Sequence, residues 1–249
     1  MAGFFLHKGI SDKVRIARFA DMNACKSIFS EHSTFVLRSP VYYRRFYHEG
    51  GDDRELRIRT AGGGSAESSG VVLSCWTILD GDVPTPKEWE IFPQCKKLPP
   101  TVVAIISTPD RVCAMLEEAF EMERDRRRFP FGSVKHRVVT YADEVAEERG
   151  PENIWQKTVF TKRLQFARQK EYRFALPYTY DPHMIDSYIF VPRNPADYMD
   201  KCLANPTMCG EDKHNLCCIL GNAIGGYGSF SHAKKIADII ANADILLDR

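Results

Sequence analysis

Apolar positions come in short runs along this chain, and the period of the runs changes from segment to segment. Val14-Arg15-Ile16-Ala17-Arg18-Phe19 predicts a strand. Asp21 then offers an N-cap carboxylate for a helix from Met22 to about Glu31. Thr34 to Arg38 predicts a second strand, stopped by Ser39-Pro40, and Tyr42 to Tyr47 a helical turn or two. Val71 to Trp76 and Thr101 to Ile106 are almost unbroken apolar runs, which predicts central strands covered on both faces. Asp110 to Glu123 places Val112, Met115, Leu116 and Phe120 on one face of a helix. Lys135 to Tyr141 reads as a strand, Asn153 to Ala167 as a basic helix, and Glu171 to Leu176 and Ser187 to Val191 as strands. Helical spacing returns over Ala196 to Leu203, Lys213 to Ile224 and His232 to Leu247.

This order predicts an α+β protein: a mixed, mostly central sheet with flanking helices and a helical C-terminal third. The glycine-rich stretches at Gly50 to Asp53 and Ala61 to Gly70 read as loops, because the first sixty or so residues make a poor core alone. We therefore expect a single domain over 1–249, with its core at 14–191 and a helical extension at 192–249.

Composition changes this picture little. The formal net charge is +1, so no global field draws nucleic acid or an anionic membrane, and such binding needs a local patch. No apolar run reaches the roughly 18 residues of a membrane helix, and the N-terminal residues lack the order of a signal peptide. A cytoplasmic protein without membrane contact is the expectation. Eight scattered cysteines suit buried thiols in a reducing compartment better than a disulfide framework.

Phe160 to Leu176 is the most patterned stretch. A basic helix runs into a strand there, and Glu171 stands at the junction. Glu171 and Arg173 are two apart on the strand and share a face; Tyr172 and Phe174 take the other, which is the natural core face. A carboxylate beside an arginine stays ionised. It can orient a ribose hydroxyl, stabilise a developing cation or act as a base. The same spacing also suits a structural ion pair on a sheet edge.

Other clusters carry weaker signals. Ser74-Cys75-Trp76 has the residues of a cysteine-protease nucleophile segment, but its strand pattern favours a buried thiol. Cys202, Cys209, His214, Cys217 and Cys218 are soft ligands in a short span, but without a Cys-x-x-Cys knuckle buried thiols are favoured, and we assign no metal. The run Glu121 to Arg128 carries Arg124, Arg126, Arg127 and Arg128, which suit a phosphate or RNA contact, but its interleaved acids favour a solvated helix face. Asp52, Asp53, Glu55 and Glu171 could together hold a divalent metal for a nuclease, but the acids at 52–55 sit in a glycine-rich loop, which counts against that reading.

Several of these pieces, taken as an ordered set over about residues 14 to 176, resemble an uncharacterised bacterial family found among phage-defence and abortive-infection genes. The pieces are Arg18-Phe19, Ser39-Pro40 followed by Tyr42-Tyr43-Arg44-Arg45, the acidic Asp52-Asp53-Arg54-Glu55, Ser74-Cys75-Trp76, Phe160-Thr161-Lys162 and Glu171-Tyr172-Arg173. A more distant resemblance is to ADP-ribosyltransferases of the Arg–Ser–Glu kind, through Arg18, then Ser39 or Ser74, then Gln169-Lys170-Glu171. That resemblance implies NAD as the nucleotide and a protein or nucleic acid as target. It implies Arg18 and Glu171 as catalytic residues, with Ser39, Tyr42, Tyr43, Gln169 and Arg173 around the nucleotide. It departs from the pattern in lacking a Ser-Thr-Ser triplet. The competing expectation is a non-enzymatic domain that binds a partner through Arg44–Arg45 and Lys162–Arg163.

Overall fold

The computed structural model of the chain describes residues 14–29, 34–39, 57–59, 65–67, 70–91, 101–124, 133–142, 157–177, 187–190 and 195–226. Within them it is an α+β protein built on one eight-stranded sheet. Its strands are β1 (Ile16–Ala20), β2 (Phe35–Arg38), β5 (Val71–Ile78), β6 (Val103–Ser107), β7 (Lys135–Val138), β10 (Glu171–Pro177), β11 (Ser187–Phe190) and β12 (Lys201–Ala204). Two small ribbons lie outside it: β3 (Arg57–Arg59) with β4 (Ser65–Glu67), and β8 (Thr140–Tyr141) with β9 (Thr161–Lys162). The helices are α1 (Met22–Ile28), α2 (Pro86–Trp89), α3 (Pro109–Arg124) and α4 (Gly210–Gly226).

The topology turns on β5, the run of mostly apolar residues that predicts a doubly covered strand. One edge of β5 pairs along its length with β10, from Glu171↔Thr77 to Pro177↔Val71. The other edge is shared. β1 holds its C-terminal end through Ile16↔Ile78 and Ala17↔Thr77, and β2 meets it at Arg38↔Leu73. Between those contacts β1 and β2 part, and Ser74, Cys75 and Trp76 lie at the fork.

A side chain spans that fork. Arg18 of β1 donates to Ser74 Oγ at 3.4 Å and to the Val36 carbonyl of β2 at 3.3 Å. Its guanidinium lies 4.5 Å from the centre of the Phe35 ring. Where strands diverge, backbone groups lose their ladder partners and must find others. Arg18 supplies donors at that point. Trp76 Nε1 donates to the same Ser74 hydroxyl at 3.1 Å, so one buried oxygen collects both.

Strand alternation then sorts the side chains. Ile16, Trp76, Tyr172, Phe174, Cys202 and Leu37 face one side, against Cys25 and Ile28 of α1, Met115 and Leu116 of α3 and Leu216 and Leu220 of α4. The opposite face carries two smaller clusters. One gathers Ala17, Phe19, Ala104 and Ile106 under Trp89; the other gathers Leu73 and Ala175 under Val159 and Phe160.

The local signals account for most elements. Asp21 accepts from Ala24 N at 2.8 Å, as a capping carboxylate should. Thr85 and Glu88 form a capping box on the single turn of α2. Two expectations are corrected. Ala196 to Leu203 is not a helix: Pro195–Tyr198 is a 3-10 turn, and Lys201–Ala204 is the edge strand paired with β6. Its apolar residues Cys202 and Leu203 point to opposite faces, a period of two hidden in a stretch too short to show it. The 61–70 region likewise contributes a strand, β4, where only loop is predicted. Tyr42 to Tyr47 and His232 to Leu247 lie outside the described residues.

Trp76 ties the fork to the core. It is 1% exposed, lies parallel to Phe35 with ring centroids 6.4 Å apart and edge-on to Phe174 at 6.2 Å. Trp76→Ala should destabilise the protein by ~3–5 kcal/mol in urea unfolding, while Ile189→Ala on the exposed edge should change it by less than ~0.5 kcal/mol.

Candidate functional site

The stretch from 157 to 177 is built differently from the long helix its spacing predicts. Residues 157–160 are helical, but Thr161–Lys162 is a strand, parallel to Thr140–Tyr141 and in register Tyr141↔Lys162. Leu164–Gln169 follows as a 3-10 helix. The physical reason is Lys162. A continuous helix carries its side chains around a cylinder, whereas the extended break points the Lys162 ammonium inward, 2.6 Å from Glu171 Oε1 and 5.1 Å from the Phe166 ring. Leu164, apolar and helix-spaced, is left 54% exposed.

Lys170 ends the 3-10 turn in the left-handed region, at φ 45°, a conformation that costs a non-glycine residue energy. Its N–H donates to Ala167 O at 3.2 Å, and its carbonyl accepts from Ile78 N at 2.8 Å. This reversal delivers the chain into β10 with Glu171 as the first residue.

Glu171 is held from every side. Lys162 Nζ donates to Oε1, and Arg173 Nε donates to Oε2 at 2.8 Å. Arg173 is fully buried and its third nitrogen donates to the Val159 carbonyl at 2.7 Å. The Glu171 backbone N–H donates to Tyr141 Oη at 2.8 Å, and its carbonyl accepts from Val139 N at 2.9 Å.

Burial acts to raise the carboxyl's pKa, but the Arg173 and Lys162 charges and their hydrogen bonds outweigh it and bring it down to about 2. Glu171 is therefore an anion at any physiological pH. Burial, and then the Glu171 charge, push the Tyr141 phenol well above its ordinary value, so that hydroxyl keeps its proton.

The expectation of a sheet-edge ion pair is corrected. β10 lies between β5 and β7, and the Glu171–Arg173 face is covered. That face also carries Cys75 and Thr77, the direct cross-strand partners of Arg173 and Glu171. The surface role expected of Lys162 is corrected too, since only 8% of the residue is exposed.

The pairing register separates two residues that the sequence reading joins. Ala17, not Arg18, pairs with Thr77 and so shares the Glu171 face. Arg18 points to the other face, with Ser74 and Trp76. Arg18 and Glu171 thus do not meet across one strand face. Ser74 is the serine beside Arg18; Ser39 is buried at the end of β2. Gln169 lies two residues before Glu171, and its Oε1 is buried with no hydrogen-bond partner among the described residues. Tyr42, Tyr43, Arg44, Arg45, Asp52, Asp53 and Glu55 lie outside the described residues. Lys162 and Tyr141 are the members that residue spacing missed. The Phe160-Thr161-Lys162 piece of the family resemblance is the signal that contained Lys162; nothing local marked Tyr141.

Among the described residues no group of three or more His, Cys, Asp or Glu is placed to hold a metal, and no helix is long and apolar enough to cross a membrane. Of the thiols expected to be buried, Cys25, Cys113 and Cys202 are, whereas Cys209 and Cys218 are exposed.

The paired charges give a pH signature. A folded pKa near 2 against an ordinary 4.5 means Glu171 adds stability above about pH 4.5, and that contribution is lost as pH falls through that window toward 2. Denaturant unfolding across this range should show the loss in the wild type. Glu171→Gln should lack that component and be less stable at neutral pH by ~3–5 kcal/mol, because two buried cations lose their anion.

No protein-family model matches the chain, and no curated protein matches it. Among solved structures it is similar to "Thermus sp. 2.9 DarT in complex with carba-NAD+", at 10% identity and a TM-score of 0.36, over 86% of this chain and 92% of that one. An overlap that loose carries no argument about what this chain does.

Proposed function

We propose that this chain is an NAD-using enzyme of ADP-ribosyltransferase type, acting on a protein or nucleic-acid target as a defence effector or toxin. The observation that carries the reading is Glu171: a buried carboxylate at the first residue of β10, kept ionised by Lys162 and Arg173. Breaking the bond between ribose C1′ and nicotinamide builds positive charge on the sugar, and a fixed, ionised carboxylate stabilises such charge most where water is excluded. Lys162 and Arg173 keep Glu171 oriented and ionised. Gln169, with an unsatisfied buried carbonyl oxygen two residues earlier, fits a sugar hydroxyl as its donor. Ser39, Tyr42 and Tyr43 belong to this proposal through the family resemblance alone. Arg18 enters it as the residue that holds the β1–β2 fork open beside Ser74, not as a partner facing Glu171.

A second reading rests on that same opposition of faces. Here Lys162–Glu171–Arg173 is an internal brace, and the domain binds a partner without chemistry, through exposed groups such as Leu164 and Arg168.

Radiolabelled NAD separates the two. Wild-type protein should consume NAD or transfer its label, and Glu171→Gln should lose ~10²–10³-fold of that rate at a temperature where its circular dichroism is native. Gln169→Ala should weaken turnover with no loss of stability, since its oxygen has no partner among the described residues. Null turnover in wild type, or equal turnover in wild type and Glu171→Gln, contradicts the enzymatic reading.

A further inference from the structure

Two cysteines from distant parts of the chain meet in the core. Cys25 lies on α1 and Cys202 on the edge strand β12, 177 residues further along. Their sulfurs are 3.8 Å apart, and neither residue has exposed surface. Each arrives there for its own local reason. Asp21 fixes the start of α1, its side chain accepting from Ala24 N at 2.8 Å and its carbonyl from Cys25 N at 3.0 Å. Cys202 pairs with Ile105 of β6, and both face the core side on which α1 packs.

At rest the contact is one between thiols. The hydrogen bond with Cys25, and then burial, push the Cys202 thiol well above its ordinary value, so it keeps its proton while the core is closed. A disulfide needs its sulfurs about 2.05 Å apart. From 3.8 Å each sulfur has to travel only about 0.9 Å, the scale of a small turn about its Cα–Cβ bond.

We propose that Cys25 and Cys202 are a redox pair, closed by a peroxide oxidant into a disulfide that staples α1 to β12. Local opening of the seven-residue α1 admits hydrogen peroxide. One sulfur, as its thiolate, attacks a peroxide oxygen; the O–O bond breaks and leaves a sulfenic acid and water. The second sulfur attacks the first, the S–O bond breaks, and the hydroxyl leaves as water with the second thiol's proton. Two sulfurs are oxidised and one peroxide is reduced. A dithiol reductant reverses the bond by exchange. The sheet runs β1, β6, β12, so the staple ties its edge strand to the helix that follows β1. Closing so long a loop removes entropy from the unfolded chain, and the oxidised form resists unfolding. This proposal is independent of any role for Glu171.

The test treats reduced full-length protein with hydrogen peroxide, then unfolds it, alkylates the free thiols and maps the peptides by mass spectrometry without reduction. A cross-linked peptide pair holding Cys25 and Cys202, lighter by two hydrogens and lost on adding dithiothreitol, is the expected product. It should form from folded protein in higher yield than from urea-unfolded protein. Oxidation should raise the thermal midpoint by ~5–15 °C, and the Cys25→Ala and Cys202→Ala variants should lack that rise. The peptide map of the wild type decides the matter even where a variant folds poorly. Cys25 and Cys202 both alkylated after peroxide treatment, either one joined instead to another cysteine such as Cys217, or equal yield from the unfolded chain would each overturn the proposal.

Discussion

An ionised carboxylate leaves water only when cations leave with it, and that condition shapes the centre of this protein. Glu171 needs two positive partners within hydrogen-bond reach, and both come from its own stretch of chain. Arg173 is two residues along the same strand face. Lys162 is brought in only because the chain abandons helix for a short strand, makes a 3-10 turn and reverses through a left-handed Lys170. The backbone strain at Lys170 and the break before Leu164 are consequences of serving one buried anion. The ion group in turn fixes β10 against β5, β7 and the Thr140–Tyr141 ribbon, since Tyr141 accepts the Glu171 N–H.

The second organising constraint is the fork of β5. A strand with three neighbours cannot be served by ladder hydrogen bonds alone, and Arg18, Ser74 and Trp76 meet that shortage with side chains. The two constraints occupy opposite faces of the same strand pair. Trp76 and Tyr172 are cross-strand partners on the core face, and Thr77 and Glu171 on the other. Whatever moves β5 relative to β10 disturbs both.

Much of this was legible in the residues. The apolar runs marked β5 and β6, Asp21 marked its helix, and the alternation Glu171-Tyr172-Arg173-Phe174 gave the correct core face. What sequence could not carry was register and context. Whether Arg18 or Ala17 faces Glu171 depends on pairing with Thr77, a contact some sixty residues away in the chain. A shift of one residue would have reversed the answer. The 157–170 segment misled for another reason: its helical spacing was real, but the burial of Lys162 with Glu171 outweighed a preference worth only tenths of a kcal/mol per residue. In Lys201–Ala204 four residues were too few to tell a strand from a helix end.

The site depends on the ionisation state of one carboxyl group, that of Glu171. Carbon-13 labelling of glutamate side chains, with Glu171 assigned by comparison with Glu171→Gln, follows that group directly as pH is lowered on the folded protein. Its signal should remain that of an ionised carboxylate well below pH 4.5, tending toward a midpoint of about 2. A Glu171 signal that titrates at or above 4.5, while the protein remains folded, would contradict the paired, buried anion on which the site is built.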